Sequence, residues 1–358
     1  MEHSLKIANA LERWGESWVL AACGALVGLV FGLAAQRSRF CARAAVIECC
    51  EGRPGERFSV WWLALGAAFV GTQLLVLSGL LEPAKSRFIA SPGSISGAII
   101  GGLLFGGGMI LTRGCASRLL ILSANGNLRA LISGLVFAVT VQATMAGWLA
   151  PLRQFFYQLW PIDGGPMRDL QTITGTAHWG GPLLAMLALG AGAYFFWRQH
   201  NGRVWLALGA VLTGLSISAG WGFTQAVARQ SFEPVAITSL SFSGPSAEWL
   251  MRVLSSASVP GFGFDAGLLP ATFIGSLIGA LLAGEFKFEG FKTENKLGHY
   301  LTGAILMGFG AVLAGGCTVG SGMSGGAIFA LTAWLTLVSI WAGAAVVLRV
   351  HKSMGWPV

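Results

Sequence analysis

Charge is what this sequence has least of. Only 11% of its 358 residues are Asp, Glu, Lys or Arg, where soluble domains carry about 25%. A chain this poor in charge cannot coat a water-facing surface, which excludes a soluble globular protein. Histidine is scarce as well: the five lie scattered at termini and in loops, without metal-ligand spacing. No His-Glu-x-x-His zinc helix is present, and no Gly-rich loop is followed by the lysine that nucleotide phosphates require. The six cysteines lack an even, extracellular spacing and several fall inside apolar stretches, so free thiols are expected. Met1 to Trp18 lacks a charged leader with a small-residue cleavage site and reads as a short amphipathic helix entering the first span.

What is present is apolar: 54% of the residues are hydrophobic and 52 are glycine. Membrane helices use glycine for close packing, whereas soluble helices tolerate it poorly. The formal charge of +8 is spread between apolar spans rather than gathered on one face, which argues for a positively charged cytoplasmic side and against a nucleic-acid partner.

About 20 apolar residues cross a bilayer as a helix. That ruler predicts an all-α polytopic membrane protein with about nine spans: Trp18–Gln36, Phe58–Leu81, Gly93–Thr112, Leu128–Ala150, Gly181–Trp197, Val204–Phe223, Ala266–Gly284, Leu297–Ala314 and Ile328–Leu348. Four apolar stretches are too short to cross: Cys41–Cys50, Ala116–Ala124, Val235–Leu254 (interrupted by Gly244 and Pro245) and Thr318–Ala327. Each reads as a re-entrant segment or as an amphipathic surface helix; irregular backbone at membrane depth survives only where protein or a watery cavity surrounds it.

An internal repeat favours the re-entrant reading. Sliding the chain by 202 positions (317 − 115) lays Gly101–Ser117 on Gly303–Val319. It matches Gly101 with Gly303, Gly106 with Gly308, Gly108 with Gly310, Gly114 with Gly316 and Cys115 with Cys317, and sets Phe40-Cys41 opposite Phe242-Ser243. The expected organisation is one integral membrane domain: a first repeat at about 18–150, a linking span at about 181–197 and a second repeat at about 204–348. An even number of crossings per copy and a single linking span make the two copies inverted, an arrangement typical of transporters with a central site.

Orientation follows from the basic residues. The side holding the C-terminus collects Arg37, Arg39, Arg43, Arg53, Arg57, Arg113, Arg118, Arg129, Arg198, Arg203, Lys287, Lys292, Lys296, Arg349 and Lys352, fifteen of the 23. The C-terminus is therefore expected in the cytoplasm and the N-terminus outside. Cys41 and Cys115 would then enter from the cytoplasmic face and Cys317 from the outer one.

Cys41, Cys115 and Cys317 share one design: apolar span, break, cysteine, short apolar segment. After Cys317 the chain reads TVGSGMSGG, Gly-rich backbone able to turn its N–H groups inward, with a half-helix presenting its positive end to an anion. Thiols are weak donors and poor partners for hard oxyanions. They suit a soft sulfur terminus better, through S–H···S contact or exchange chemistry. A thiolate would repel a dianion, so the thiols are expected to act protonated. Cys23, Cys49 and Cys50 read as small structural hydrophobes. Arg113 and Arg118 flank Cys115, and Arg37 and Arg39 precede Cys41; each is either a pathway cation or a snorkelling, positive-inside arginine. Glu48, Asp265, Glu285 and His299 read as interfacial.

At these residues the sequence resembles the YeeE/YedE family of membrane proteins, which includes the thiosulfate transporters. The resemblance rests on QRSRFCARA (Gln36–Ala44), LTRGCASRLL (Leu111–Leu120) and LMGFGAVLAGGCTVGSG (Leu306–Gly322) and covers nearly the whole chain. It implies a single-chain inverted repeat of nine spans and four short loop helices, pinched like an hourglass, in the bacterial inner membrane. It also implies thiosulfate, or a related reduced-sulfur anion, passing between Cys317, Cys115 and Cys41. Gly114, Gly316 and Arg113 join these as candidate substrate-binding residues. Thiosulfate-active members typically carry Gly-Gly-Cys at the middle motif, where this chain has Arg113-Gly114-Cys115; other branches are linked to other sulfur or selenium species. The resemblance further implies a small cytoplasmic TusA-like sulfur carrier as partner, membrane lipid around the chain, no cofactor and no enzymatic activity. Two other readings use the same thiols: a membrane sulfurtransferase with a persulfide on Cys115 or Cys317, and a Cu(I)-type metal path, which the flanking arginines oppose.

Overall fold

The computed structural model describes residues 13–176, 179–199, 204–231, 234–255, 263–290 and 297–354. Most of the expected N-terminal amphipathic helix, and Arg203, Lys292 and Lys296 of the charge count, lie outside the described residues. Among the described residues nine helices are long and apolar enough to cross a membrane, and strand is limited to one two-residue pair, β1 (Gly93–Ser94) with β2 (Pro161–Ile162). The protein is an all-α, multi-pass membrane protein.

The helices run in chain order as α1 (Glu16–Arg37), α2 (Ala42–Cys50), α3 (Glu56–Leu77), α4 (Ile95–Leu111), α5 (Ala116–Ala124), α6 (Leu128–Ala146), α7 (Ala150–Gln158), α8 (Gly180–Gln199), α9 (Val204–Ala228), α10 (Ser243–Leu254), α11 (Phe264–Leu282), α12 (Leu297–Leu313) and α13 (Leu331–Ser353). Between the last two, Thr318–Gly325 forms a π-helix. The 202-position offset that aligned the cysteine motifs also carries the bounds of α4 onto those of α12 (297 − 95 and 313 − 111).

Three expectations shift. The span beginning at Leu128 stops at Ala146, and Ala150 opens a separate helix, α7. Ser94 and Ser96 hold the end of α7 by donating to the Tyr157 and Phe156 carbonyls, each at 2.8 Å. In the stretch expected at Val235–Leu254, helix begins only at Ser243, and Gly244 and Pro245 form its first turn; proline costs little there, because the N–H it lacks would have no helical partner. Thr318–Ala327, expected as a re-entrant segment or an amphipathic surface helix, is π-helical over Thr318–Gly325, a form concentrated at functional sites.

The glycines explain the packing. Gly24, Gly28 and Gly32 of α1 lie against the carbonyls of Phe264, Leu268 and Thr272 of α11, while Gly267 and Gly275 lie against those of Ala21 and Leu29. A methyl at any of the five would overlap backbone, so this seam closes only because the side chains are absent. A second seam sets Gly101 of α4 against Gly310 of α12, and Gly108 against Gly303. By contrast α8 lies at the edge, packed on α3 and burying only Gly181, Ala185 and Gly192. Trp179 and Trp197, 84% and 80% exposed, frame its two ends, as tryptophans do at the two membrane interfaces.

Candidate functional site

Each of the three breaks follows the same backbone path. The chain leaves α1, α4 and α12 through Ser38, Thr112 and Ala314, whose N–H groups donate to Ala34, Gly108 and Gly310, all at 2.9 Å. The next residue is left-handed: Arg39 at φ 52°, Arg113 at φ 59° and Gly315 at φ 78°. Two residues beyond each, Cys41, Cys115 and Cys317 stand in extended conformation as the N-caps of α2, α5 and the π-helix. Glycine takes a positive φ freely, whereas arginine gives up about 1 kcal/mol to hold it. Arg113 therefore occupies a position that the backbone would cede to glycine.

All three thiols are buried, Cys41 at 8% exposure and Cys115 and Cys317 at 0%. Cys317 Sγ accepts from the Gly320 N–H at 3.4 Å, and Cys115 Sγ lies 3.4 Å from Ser117 Oγ. The Thr318 hydroxyl lies beside the Cys115 thiol and has no hydrogen-bond partner within normal distance. The break that carries Cys317 thus abuts the break that carries Cys115. Ser321 Oγ, one turn further along the π-helix, is also buried without a partner. Two buried hydroxyls near the thiols thus have hydrogen-bonding capacity that no protein group within normal distance uses.

Gly316 is confined: a methyl on it would meet Ser321 Oγ at 2.5 Å. Gly114 has more room, with Leu119 Cδ2 at 3.3 Å from such a methyl. The end of the π-helix and the residues just after it are held from other spans, the Ser324 carbonyl accepting from Trp221 Nε1 at 3.2 Å and the Ala327 carbonyl from Gln73 Nε2 at 2.8 Å. A lone Gln or Trp inside an apolar span was the only sequence signal for these two supports.

At the end of the bundle that holds the C-terminus, arginines surround Cys41. Arg43 and Arg118 are within electrostatic reach of its thiol, and Arg39 and Arg57 within reach of Arg118. Arg113, half-buried, is in turn within reach of Arg43. Arg39 pairs with Glu285 at 3.0 Å, and Gln36 donates to the same carboxylate at 2.9 Å. Arg118 Nη1 and Arg43 Nε are buried without partners. Glu48 is structural, accepting the N–H groups of Gly55, Arg57 and Phe58 where α2 turns into α3. Arg37 is exposed.

The opposite end opens into a cavity of ≈ 340 Å³ lined by Arg87, Arg153, Arg168, Asp265, Ser241, Ser243 and Gly315, among others. Its lining includes Gly315, two residues before Cys317, and Ser243, the residue set opposite Cys41 by the 202-position offset. Arg168 is 5% exposed; it donates to Thr332 Oγ1 at 2.6 Å and to the Ser91 carbonyl. Its Nε is unbonded, and no carboxylate pairs with it among the described residues. Burial pulls its guanidinium below the usual arginine value, opposed by the Tyr157 phenol. Arg87, Arg153 and Arg168 went unnoticed in the sequence, because they lie far apart in loops and short helices. Asp265, read as interfacial from its place near a span end, lines this cavity from the first turn of α11.

Among the described residues no group of His, Cys, Asp and Glu is arranged to hold a metal ion. What the arrangement offers is arginines toward both ends, unpartnered hydroxyls at Thr318 and Ser321 and three buried thiols at the helix breaks.

A family model described as sulphur transport matches residues 37–346. The chain is 26% identical over 331 residues to the thiosulfate transporter TsuA of Spirochaeta thermophila, covering 88% of this chain and 94% of that protein. It is 26% identical over 350 residues to the thiosulfate transporter TsuA of Escherichia coli, covering 88% of this chain and 89% of that one.

Proposed function

The chain belongs to the sulphur transport (YeeE/YedE) family, and from that premise we propose that it is a transporter importing thiosulfate, or a closely related reduced-sulfur anion, across the bacterial inner membrane. The N-terminus lies outside, the C-terminus in the cytoplasm, and the two halves are inverted copies. The anion enters the arginine-lined cavity, then passes from Cys317 to Cys115 to Cys41.

The observation that supports this reading is the meeting of the two breaks, where Thr318 of the Cys317 break lies beside the Cys115 thiol and Ser321 is buried without a partner on the same π-helix. An anion stripped of water needs replacement donors at each step. The Gly320 N–H, the Thr318 and Ser321 hydroxyls and the thiols are such donors, and the π-helix contributes the positive end of its dipole. Protonated thiols add a soft contact for a terminal sulfur without adding negative charge. Arg43 and Arg118 draw the anion past Cys41 and release it into the basic inner rim, where a small TusA-like carrier would receive it.

Uptake of labelled thiosulfate into proteoliposomes tests the proposal. Wild type should accumulate label, and Cys115→Ala should lower the rate at least about tenfold, the loss of one contact worth about 1.4 kcal/mol in the passage barrier. Uptake unchanged by Cys115→Ala would overturn the thiol relay. A sulfurtransferase would instead leave a persulfide on Cys115 or Cys317 during turnover, a mass increment that intact-protein mass spectrometry detects.

A further inference from the structure

The outer cavity contains one group that anion passage does not call for. Asp265, in the first turn of α11, lines the same ≈ 340 Å³ as Arg87, Arg153 and Arg168, and its Oδ1 is buried with no hydrogen-bond partner. An ionised carboxylate there opposes a dianion twice: it repels the ligand and competes with it for Arg87, a cation that acts on it. A protonated carboxyl does neither, and its O–H becomes a further donor into the cavity.

We infer that this cavity captures its anion together with one proton, which resides on Asp265. The inference rests on the transport reading for the identity of the ligand. As the anion enters, one proton from the outer solution adds to a carboxylate oxygen of Asp265; as the anion moves on to Cys317, that proton is free to leave. No covalent bond of the anion changes.

The charged groups around Asp265 are consistent with this linkage. Glu248 of α10 acts on it alongside Arg87, but is itself held by Arg252 at 2.6 Å. Arg153 and Arg168 approach from the other cavity walls. Of the further helices packed on α11, α1 carries Glu16 at its start and α5 carries Arg118, which lies toward the Cys41 end.

The test is isothermal titration of the full chain in detergent with thiosulfate and, separately, sulfate, both dianions throughout, at about pH 5.5 and about pH 8. Wild type should bind about tenfold or more tightly at the acid end. Asp265→Asn, which keeps a neutral donor, should bind with the acid-side affinity at both values, and Asp265→Glu should restore the dependence. Wild-type binding that does not change with pH, or a pH dependence that survives in Asp265→Asn, overturns the inference; so does an absence of binding by either anion. Uptake measured in parallel separates the two ideas. Transport that needs Cys115 but keeps its pH profile in Asp265→Asn refutes the proton site alone, whereas uptake indifferent to Cys115 refutes the thiol relay.

Discussion

Replacing Gly320 by alanine would place a methyl carbon 2.7 Å from Ser241 Oγ and 3.1 Å from its Cβ, where ordinary contact begins at 3.4 Å. Something must yield, and little can. Ser241 is 8% exposed, and the residues on either side of it, Leu240 and Phe242, are 0% and 1% exposed. Ser241 lines the ≈ 340 Å³ cavity, and the Gly320 N–H is the donor to the Cys317 sulfur. Overpacking of this kind costs about 1–3 kcal/mol, which lowers the melting midpoint of a chain this size by roughly 1–4 °C. The same methyl narrows the entry, so thiosulfate uptake in proteoliposomes should fall about tenfold or more, a barrier increase near 1.4 kcal/mol. Adding Ser241→Ala removes the Oγ clash and leaves the 3.1 Å contact, so it should recover part of both losses. A Gly320→Ala protein with wild-type uptake and midpoint, or a double variant no better than the single one, would refute this account of the entry.

Two further outcomes follow from the breaks and the orientation. Arg113→Gly relieves a left-handed arginine and should stabilise the protein by about 1 kcal/mol in thermal melts, while loss of an inner cation slows thiosulfate uptake by about threefold or more; faster uptake would show that Arg113 obstructs the path. Cys49 and Cys50 are exposed beside Glu51, which pairs with Lys352 at 3.0 Å. A membrane-impermeant maleimide should therefore label them in inverted vesicles and not in right-side-out ones, and the reverse pattern would invert the topology.

Membrane class, span number and the three cysteine breaks were legible in the sequence because each depends on local chemistry. Twenty apolar residues in a row have one use, and Cys115 and Cys317 announce themselves by recurring 202 positions apart in Gly-rich frames. Bounds were less legible where the signal is not hydropathy: α6 ends at Ala146 although the apolar run continues, and Pro245 reads as a break in sequence but opens α10. The π-helical winding of Thr318–Gly325 was not legible at all, and neither were its supports from distant spans, Trp221 of α9 donating to the Ser324 carbonyl and Gln73 of α3 to that of Ala327 just beyond.

The sequence by itself determined that this chain lives in a membrane, how many of its helices are long and apolar enough to cross it, and that Cys41, Cys115 and Cys317 stand at helix breaks. Only tertiary structure decided what surrounds those thiols. Arg87, Arg153, Arg168 and Asp265 share one cavity because four separate elements converge there, and Thr318 meets Cys115 because the second break packs into the first. Hydropathy and spacing are properties of neighbours along the chain. A binding site is a property of neighbours in space, and in a helical bundle those are fixed by which glycine seams can close.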